Sequence, residues 1–448
     1  MRPGIINSHF LRCNKLFVFI LFSALTFIIP SCQKFDYWNH HGKPSNGKGA
    51  DAQVALDWYH MQLRLLLERN STMNGVYFAY LGIGLYEAVQ PGSKHAVSLS
   101  TKLYQMPAMP SIENGKKYNW EVSANAALAA LLRSYNSGLT AANIASIDSL
   151  ENVYNERLKP SAGESFTRSQ EFGKNIAAAV HNWSLTDKFN PSNAGYVAPD
   201  FDGAWIPTPP AFVNPPVLPF VSSARPLLAS LHDQVTEPFP FAYSEQTTSD
   251  FYKMVKNLYD VSKTLTDEQK NIALFWVDQG NGVGFTPPGH DFSIITQALY
   301  LKGSDLFTTA EVYAKTGIAE RESTIICFRS KHKYSLIRPV SYIQEFIEPG
   351  WMPFIGTPPH PEYPAAHALI TGAVMESAER VLGRFSFTDH TYDFRGLSPR
   401  TYKNLFASGE EAGQSRLYGG IHYQTSIDIG LKVGNELGSQ IGKLNLHY

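Results

Sequence analysis

Prolines crowd residues 191–240, where Pro207, Pro209, Pro210, Pro215, Pro216, Pro219 and Pro226 all fall. Each fixes φ and lacks a backbone N–H, so neither a long helix nor a central strand survives that density. An irregular stretch of this length is uncommon inside a folded unit unless it has a function or is packed down as a cover. Trp205, Phe212, Phe220 and Phe239 lie within it, which favours a loop clamped onto the surface. The rest of the chain must therefore supply its regular structure on either side of this segment.

On both sides the pattern is helical. Trp58, Met61 and Leu65 recur at helical spacing within residues 52–69, and residues 74–89 are apolar on nearly all faces, as in a buried central helix. Pro91 and Gly92 stop that helix. Residues 120–135 are alanine-rich, Thr140 opens a helix with Ile144 and Ile147 turned inward, and residues 164–183 continue the pattern. After the proline-rich segment, Phe251, Val255 and Leu258 share one face. Thr266 with Gln269 forms a capping-box pattern, and Thr308 with Glu311 repeats it ahead of a long helix towards Lys331. No run alternates in the manner of a strand. The fold class is all-α, in two helical parts: residues 52–240, ending in the proline-rich loop, and residues 241–448. In the last helix, Gly430, Gly434, Gly438 and Gly442 form a row that lets another helix approach closely. Lys432, Asn435 and Glu436 beside them argue against a membrane span.

Residues 1–32 read as a targeting segment. Arg2, Arg12 and Lys15 precede an apolar run over residues 16–29. At roughly 14 residues it is short of the approximately 20 that a span requires. The ending Ile29-Pro30-Ser31-Cys32 is similar to a lipobox, so a lipid-bearing Cys32 is expected, with residues 33–51 as a polar tether. The product would be exported and lipid-anchored to a bacterial membrane, periplasmic or at the outer membrane. Of the three cysteines, Cys13 leaves with the signal and Cys32 is the anchor, so Cys327 alone remains. No disulfide framework follows, and its apolar neighbours mark Cys327 as a buried structural thiol. A formal net charge of −1 with no basic run gives no reason to expect nucleic acid.

Three segments of the final third carry chemistry. Lys331 is followed by Arg338-Pro339, Pro364-Ala365-Ala366 leads to His367, and Ser415-Arg416 stands ahead of His422. Taken singly, a Lys with an Arg seven residues on is a solvated face and a lone helical His is a core residue. In this order and spacing they resemble the signature K-x6-R-P, P-S-G-H, S-R-x5-H of the superfamily that unites vanadium-dependent haloperoxidases with type 2 phosphatidic acid phosphatases. Residues 74–90 and 285–290 are similar to the helical N-terminal portion of its soluble bacterial branch. The resemblance implies a helical bundle of that type and an oxyanion site.

In that site Lys331, Arg338 and Arg416 would form a charge clamp suited to planar sets of oxygens. Pro364 would stand at the first position of a helix over residues 365–382, whose N–H groups, with Ala365 and Ala366, would meet the anion. The resemblance implies that His422 supplies an axial nitrogen to vanadate and that His367 is the acid–base group, titrating near neutrality. It further implies a peroxidase that oxidises halide with hydrogen peroxide. The alternative is an acid phosphatase without cofactor, acting on phosphomonoesters through a phosphohistidine at His422. A third reading is a non-catalytic oxyanion-binding lipoprotein. Two departures bear on the choice: Ala365-Ala366 replaces Ser-Gly, and Ser426 stands where an aspartate often orients the axial histidine. Oligomeric state is left open.

Overall fold

A computed structural model describes residues 50–68, 75–136, 138–278 and 283–447. The expected signal, tether and Cys32 lie outside the described residues, apart from the tether's last two positions. Thirteen α-helices run in chain order among the described residues. α1 (Gln53–Glu68), α2 (Gly75–Val89), α3 (Trp120–Tyr135), α4 (Ala141–Ala162) and α5 (Phe166–Ser184) precede the proline-rich segment. α6 (Asp250–Lys263), α7 (Asp267–Phe275), α8 (Pro287–Lys302), α9 (Leu306–Tyr334) and α10 (Pro339–Phe346) follow it. The chain closes with α11 (Ala366–Leu382), strands β1 (Phe387–Asp389) and β2 (Arg400–Tyr402), α12 (Leu405–Tyr418) and α13 (Gln424–Gly442). The strands pair antiparallel, Phe387 opposite Tyr402. At three residues each they are too short to leave an alternating pattern.

Helix starts follow local side-chain chemistry. Thr140 caps α4 through the N–H of Asn143, and Thr266 with Gln269 forms the full capping box of α7. α9 differs from expectation: its cap is Asp305, which accepts from the N–H of Thr308, so the helix begins three residues before the Thr308 pattern. In α4 the buried face is Asn143, Ile147, Tyr154 and Leu158, which leaves Ile144 45% exposed instead of inward. α2 is the buried central helix, lying against α9 at Gly82 and Gly317. Cys327 is fully buried, and burial pushes its thiol up to about 11.

The proline-rich segment binds the end of α9. Trp205 N–H donates to the Ser335 carbonyl (2.6 Å), Ile337 N–H to the Gly203 carbonyl (2.9 Å), and Thr236 N–H to Ser330 Oγ (2.9 Å). Val217 N–H reaches the Pro359 carbonyl (3.0 Å). Trp205 is buried, whereas Phe212 stands 59% exposed and takes no part in the clamp.

α13 lies along α11 through its glycine row. A Cβ at Gly434 would come within 2.5 Å of the Leu369 carbonyl oxygen, and one at Gly438 within 2.4 Å of that of Ala373. The row therefore sets how α11 and α13 sit against each other, and both helices begin at the candidate site.

Two buried acids make no ion pair among the described residues. Asp291 on α8 and Glu320 on α9 each keep an oxygen without a hydrogen-bond partner, Asp291 Oδ1 and Glu320 Oε2. Burial raises both pKa values, and the charge of Glu320 raises that of Asp291 further. A carboxyl whose folded pKa lies above its unfolded value stabilises the fold below the unfolded pKa, and that contribution is lost as pH rises towards the folded one. Glu320→Gln removes this loss. Its melting temperature relative to the parent is expected to climb between pH 5 and pH 8, by about 2 °C or more. A gap that is constant with pH in differential scanning calorimetry would refute this.

Candidate oxyanion site

Several helix ends converge on one buried volume. Lys331 stands in the last turn of α9, after which Ser335 adopts a left-handed φ of 42° and ends the helix. Arg338 is the N-cap of α10, with Pro339 at its first position. Arg416 closes α12, and a turn through Gly420 (φ 75°) leads to His422 just before α13. His367 is the second residue of α11. The N-cap of α11 is Ala365, so Pro364 precedes the cap and does not occupy the first helical position. Beneath the site, Phe251, Val255, Val340, Ile343, Tyr363, Leu417 and Tyr423 form one apolar cluster.

Lys331, Arg338, Arg416 and His422 are all at most 2% exposed. The Lys331 ammonium donates to the carbonyls of Pro361 (3.1 Å), Glu362 (2.9 Å) and Pro364 (2.6 Å), pinning the strand of chain that enters α11. Arg338 Nε donates to the His360 carbonyl (2.8 Å), and Nη1 to the Ile421 carbonyl (2.8 Å). The same Nη1 meets His422 Nε2 at 3.1 Å, and Nη2 meets His360 Nδ1 at 3.0 Å. Arg416 Nε bonds Ser415 Oγ (2.9 Å), and its Nη2 donates to the Trp276 carbonyl. These bonds orient the cations without neutralising them.

The partner of His422 is Glu362, which spacing alone did not reveal. His422 Nδ1 lies 2.9 Å from Glu362 Oε1, which also accepts the Tyr423 N–H (3.0 Å). Ser426 Oγ donates to Glu362 Oε2 at 2.6 Å. The serine that stands in place of an aspartate thus holds a carboxylate supplied by the loop ahead of α11. Burial raises the Glu362 pKa, while Ser426, Arg338 and Lys331 pull it back. With Nδ1–H donated to Glu362 and Nε2 accepting from Arg338, His422 is a neutral imidazole whose Nε2 lone pair is engaged by Arg338. Burial and the charges of Arg338, Lys331, His360 and Arg416 hold its pKa well down.

His367 is neutral as well. Its Nε2 meets Asp278 Oδ2 at 3.2 Å. Burial and Arg416 lower its pKa to about 4 against the opposing pull of Asp278, instead of leaving it near neutrality. Ala365 spends its own N–H on the Ser426 carbonyl (3.2 Å) and offers only a methyl group. No side chain caps α11, so the N–H groups that follow, from Ala366 onward, point out of the helix end.

Five of the seven residues expected in the site, Lys331, Arg338, Arg416, His367 and His422, are linked here through bonds or direct electrostatic contact. Glu362, His360 and Asp278 complete the arrangement. Glu362 lay two positions before Pro364 and was legible as an acid beside a motif, whereas Asp278 is distant in sequence and carries no local signal. Burial lowers the Lys331 pKa to about 7, while Arg338 and Arg416, lowered to about 10, stay charged. A multiply charged oxyanion would be balanced by the two guanidinium groups and would draw a full charge onto Lys331. The donor types suit vanadate, but Lys331 spends all three of its N–H groups on carbonyls and Arg338 four of its five here. A bound oxyanion would therefore meet the unspent N–H groups of Arg416 first and would have to take the others from their present partners.

A family model described as the vanadium chloroperoxidase second helical-bundle domain matches residues 311–448, which hold all of these motifs. No curated protein matches the chain. Among solved structures, a bacterial vanadium-dependent iodoperoxidase aligns over 89% of this chain and 97% of its own, with 28% identity and a TM-score of 0.78. A bacterial vanadium-dependent chloroperoxidase in its holo form aligns over 89% and 99%, with 16% identity and a TM-score of 0.62, and shows the shared fold. Its apo form aligns over 83% and 94%, with 17% identity and a TM-score of 0.56. Among the described residues no helix is long and apolar enough to cross a membrane. The family model over residues 311–448 and the fold shared over 89% of the chain with the iodoperoxidase support membership of the vanadium haloperoxidase superfamily.

Proposed function

We propose that the protein is a vanadate-dependent peroxidase that oxidises halide with hydrogen peroxide. The observation that carries this reading is the neutral His422, its Nδ1–H fixed by Glu362 and its Nε2 turned to Arg338. Bound vanadate would supply a Lewis-acidic centre at which peroxide is activated. Lys331, Arg338 and Arg416 would hold the oxyanion, and His422 Nε2 would bind it directly. His367, neutral and bonded through Nε2 to Asp278, has Nδ1 left to accept a proton and return it. Burial of Lys331, Arg338, Arg416 and His422 excludes water and strengthens their interactions, while the His367 side chain keeps 12% of its surface exposed.

Iodide is the first halide to test, since the structural counterpart at 28% identity is an iodoperoxidase. Purified protein with vanadate and peroxide is expected to oxidise iodide and halogenate a dye with bromide. Release of phosphate from a chromogenic phosphomonoester, inhibited by vanadate and without halide oxidation, would overturn the proposal in favour of a phosphatase. We also propose export and lipid attachment at Cys32. Labelled palmitate is expected to enter the parent and to be absent from Cys32→Ser; label retained in the variant would refute this.

A further inference from the structure

Behind the oxyanion site, Asp278 joins a charge cluster whose other members, His290 and Asp389, neither the motifs nor the proposed chemistry uses. Past the end of α7 the chain runs through Phe275, Trp276, Val277 and Asp278. It makes two contacts into the site: the Trp276 carbonyl accepts Arg416, and Asp278 Oδ2 meets His367 Nε2 at 3.2 Å. The backbone at Asp278 has a φ of 47°, a left-handed conformation that needs local support in a non-glycine residue.

That support comes from His290 on α8, which is fully buried. Its Nδ1 lies 2.8 Å from Asp278 Oδ1, and its Nε2 lies 2.8 Å from Asp389 Oδ2 on β1. Both carboxylates also accept from elsewhere: Asp278 Oδ1 from Tyr392 OH (2.6 Å), and Asp389 Oδ1 from Thr391 N–H (2.8 Å) and Gln297 Nε2 (3.2 Å). A neutral imidazole has one N–H, so only a doubly protonated ring satisfies two carboxylates. The ring stacks on Trp276 at 4.3 Å and meets Phe275 and Tyr392 nearly edge-on at 5.4 and 4.8 Å, an aromatic surround suited to a cation.

We propose that His290 is a positioning residue: an imidazolium clamped between Asp278 and Asp389 that locks residues 275–278, and so sets both Asp278 against His367 and the Trp276 carbonyl against Arg416. The proposal rests on the oxyanion-site reading for its consequence, though not for its chemistry. The electrostatics agree with the geometry. Burial alone would lower the His290 pKa, yet the two carboxylates raise it to about 10. Burial alone would raise that of Asp278, and His290 holds it well below the ordinary carboxylate range. Asp291, the next residue along α8, has its pKa raised by burial and by Glu320 against the pull of His290.

The test is nitrogen NMR of the full chain carrying ¹⁵N-histidine, without vanadate, with His290→Gln and His367→Gln used to assign the two rings. At pH 8 both ring nitrogens of His290 are expected to be protonated, while His367 carries its proton on Nε2 alone. In His290→Gln the His367 ring is expected to become a mixture of tautomers, and vanadate affinity, measured by calorimetry, to fall about 10–100-fold. Asp389→Asn, which leaves the residues nearest the site in place, is expected to shift the same signals in the same direction by a smaller amount. It serves if His290→Gln does not fold. An unprotonated His290 nitrogen at pH 8 would overturn the proposal. So would variants that keep both the His367 tautomer and vanadate affinity within about twofold of the parent, the range in which no outer partner is lost. Because the NMR arm uses no halide and no peroxide, its outcome is independent of whether the chain is a haloperoxidase.

Discussion

His422→Ala is expected to abolish vanadate-dependent halide oxidation while leaving the chain folded. The substitution removes the Nε2 lone pair proposed to bind vanadate beside Arg338. Loss of an outer partner of a metal ligand costs about 10–100-fold in affinity, and loss of the ligand itself should exceed that. The clamp should survive, because Arg338 keeps the carbonyls of His360 and Ile421, and Lys331 keeps three carbonyls of its own. Weak phosphate binding should therefore persist in the variant. Glu362 loses one of its three donors but retains Tyr423 N–H and Ser426 Oγ, so the stability cost should be limited to about 1–3 kcal/mol. Vanadate titration by calorimetry, with circular dichroism as the folding control, separates these outcomes. Affinity within about tenfold of the parent would remove His422 from the role given to it.

Gly438→Leu is expected to destabilise the fold and the site together. A leucine gains roughly 1 kcal/mol of helix propensity over glycine. Against that, its Cβ would fall 2.4 Å from the Ala373 carbonyl oxygen and 2.9 Å from Glu376 Cβ, closer than real Cβ atoms approach. Overpacking of this kind typically costs about 1–3 kcal/mol and sometimes more. Clash with backbone outweighs propensity, and α13 must move away from α11. The same two helices carry His367 and follow His422, so site geometry should suffer along with the melting temperature. Gly350→Ala, at a glycine with nothing within 4 Å, is the control and should be near neutral. A Gly438→Leu protein that melts within about 1 °C of the parent would show that the helices are not held at the distance described.

Much of this was readable from residues alone, for identifiable reasons. The glycine row repeats every four positions along one helix face, so close packing followed from period. Thr140 and Thr266 act through neighbours three residues away, and such caps are legible locally. Ile144 was misplaced because a helix with so few buried side chains gives a weak pattern, and its inward face is set by Asn143, Ile147, Tyr154 and Leu158. The start of α9 was misread because Asp305 caps as well as a threonine does. In the site, the cations and histidines sit at fixed local spacings and so declared themselves. Glu362 did not: it replaces a carboxylate normally sought four residues after the histidine, and only the folded chain places it against Ser426. Asp278, His290 and Asp389 come from three separate segments, and no sequence period connects them.

The central claim is that Lys331, Arg338, Arg416, His367 and His422 form one oxyanion pocket. A crystal structure of the protein grown with vanadate tests it most directly. The account predicts vanadium on His422 Nε2, with its oxygens met by Lys331, Arg338 and Arg416 and with His367 beside them. Vanadate bound elsewhere, or a pocket that stays without it at concentrations that saturate binding in solution, would contradict the account.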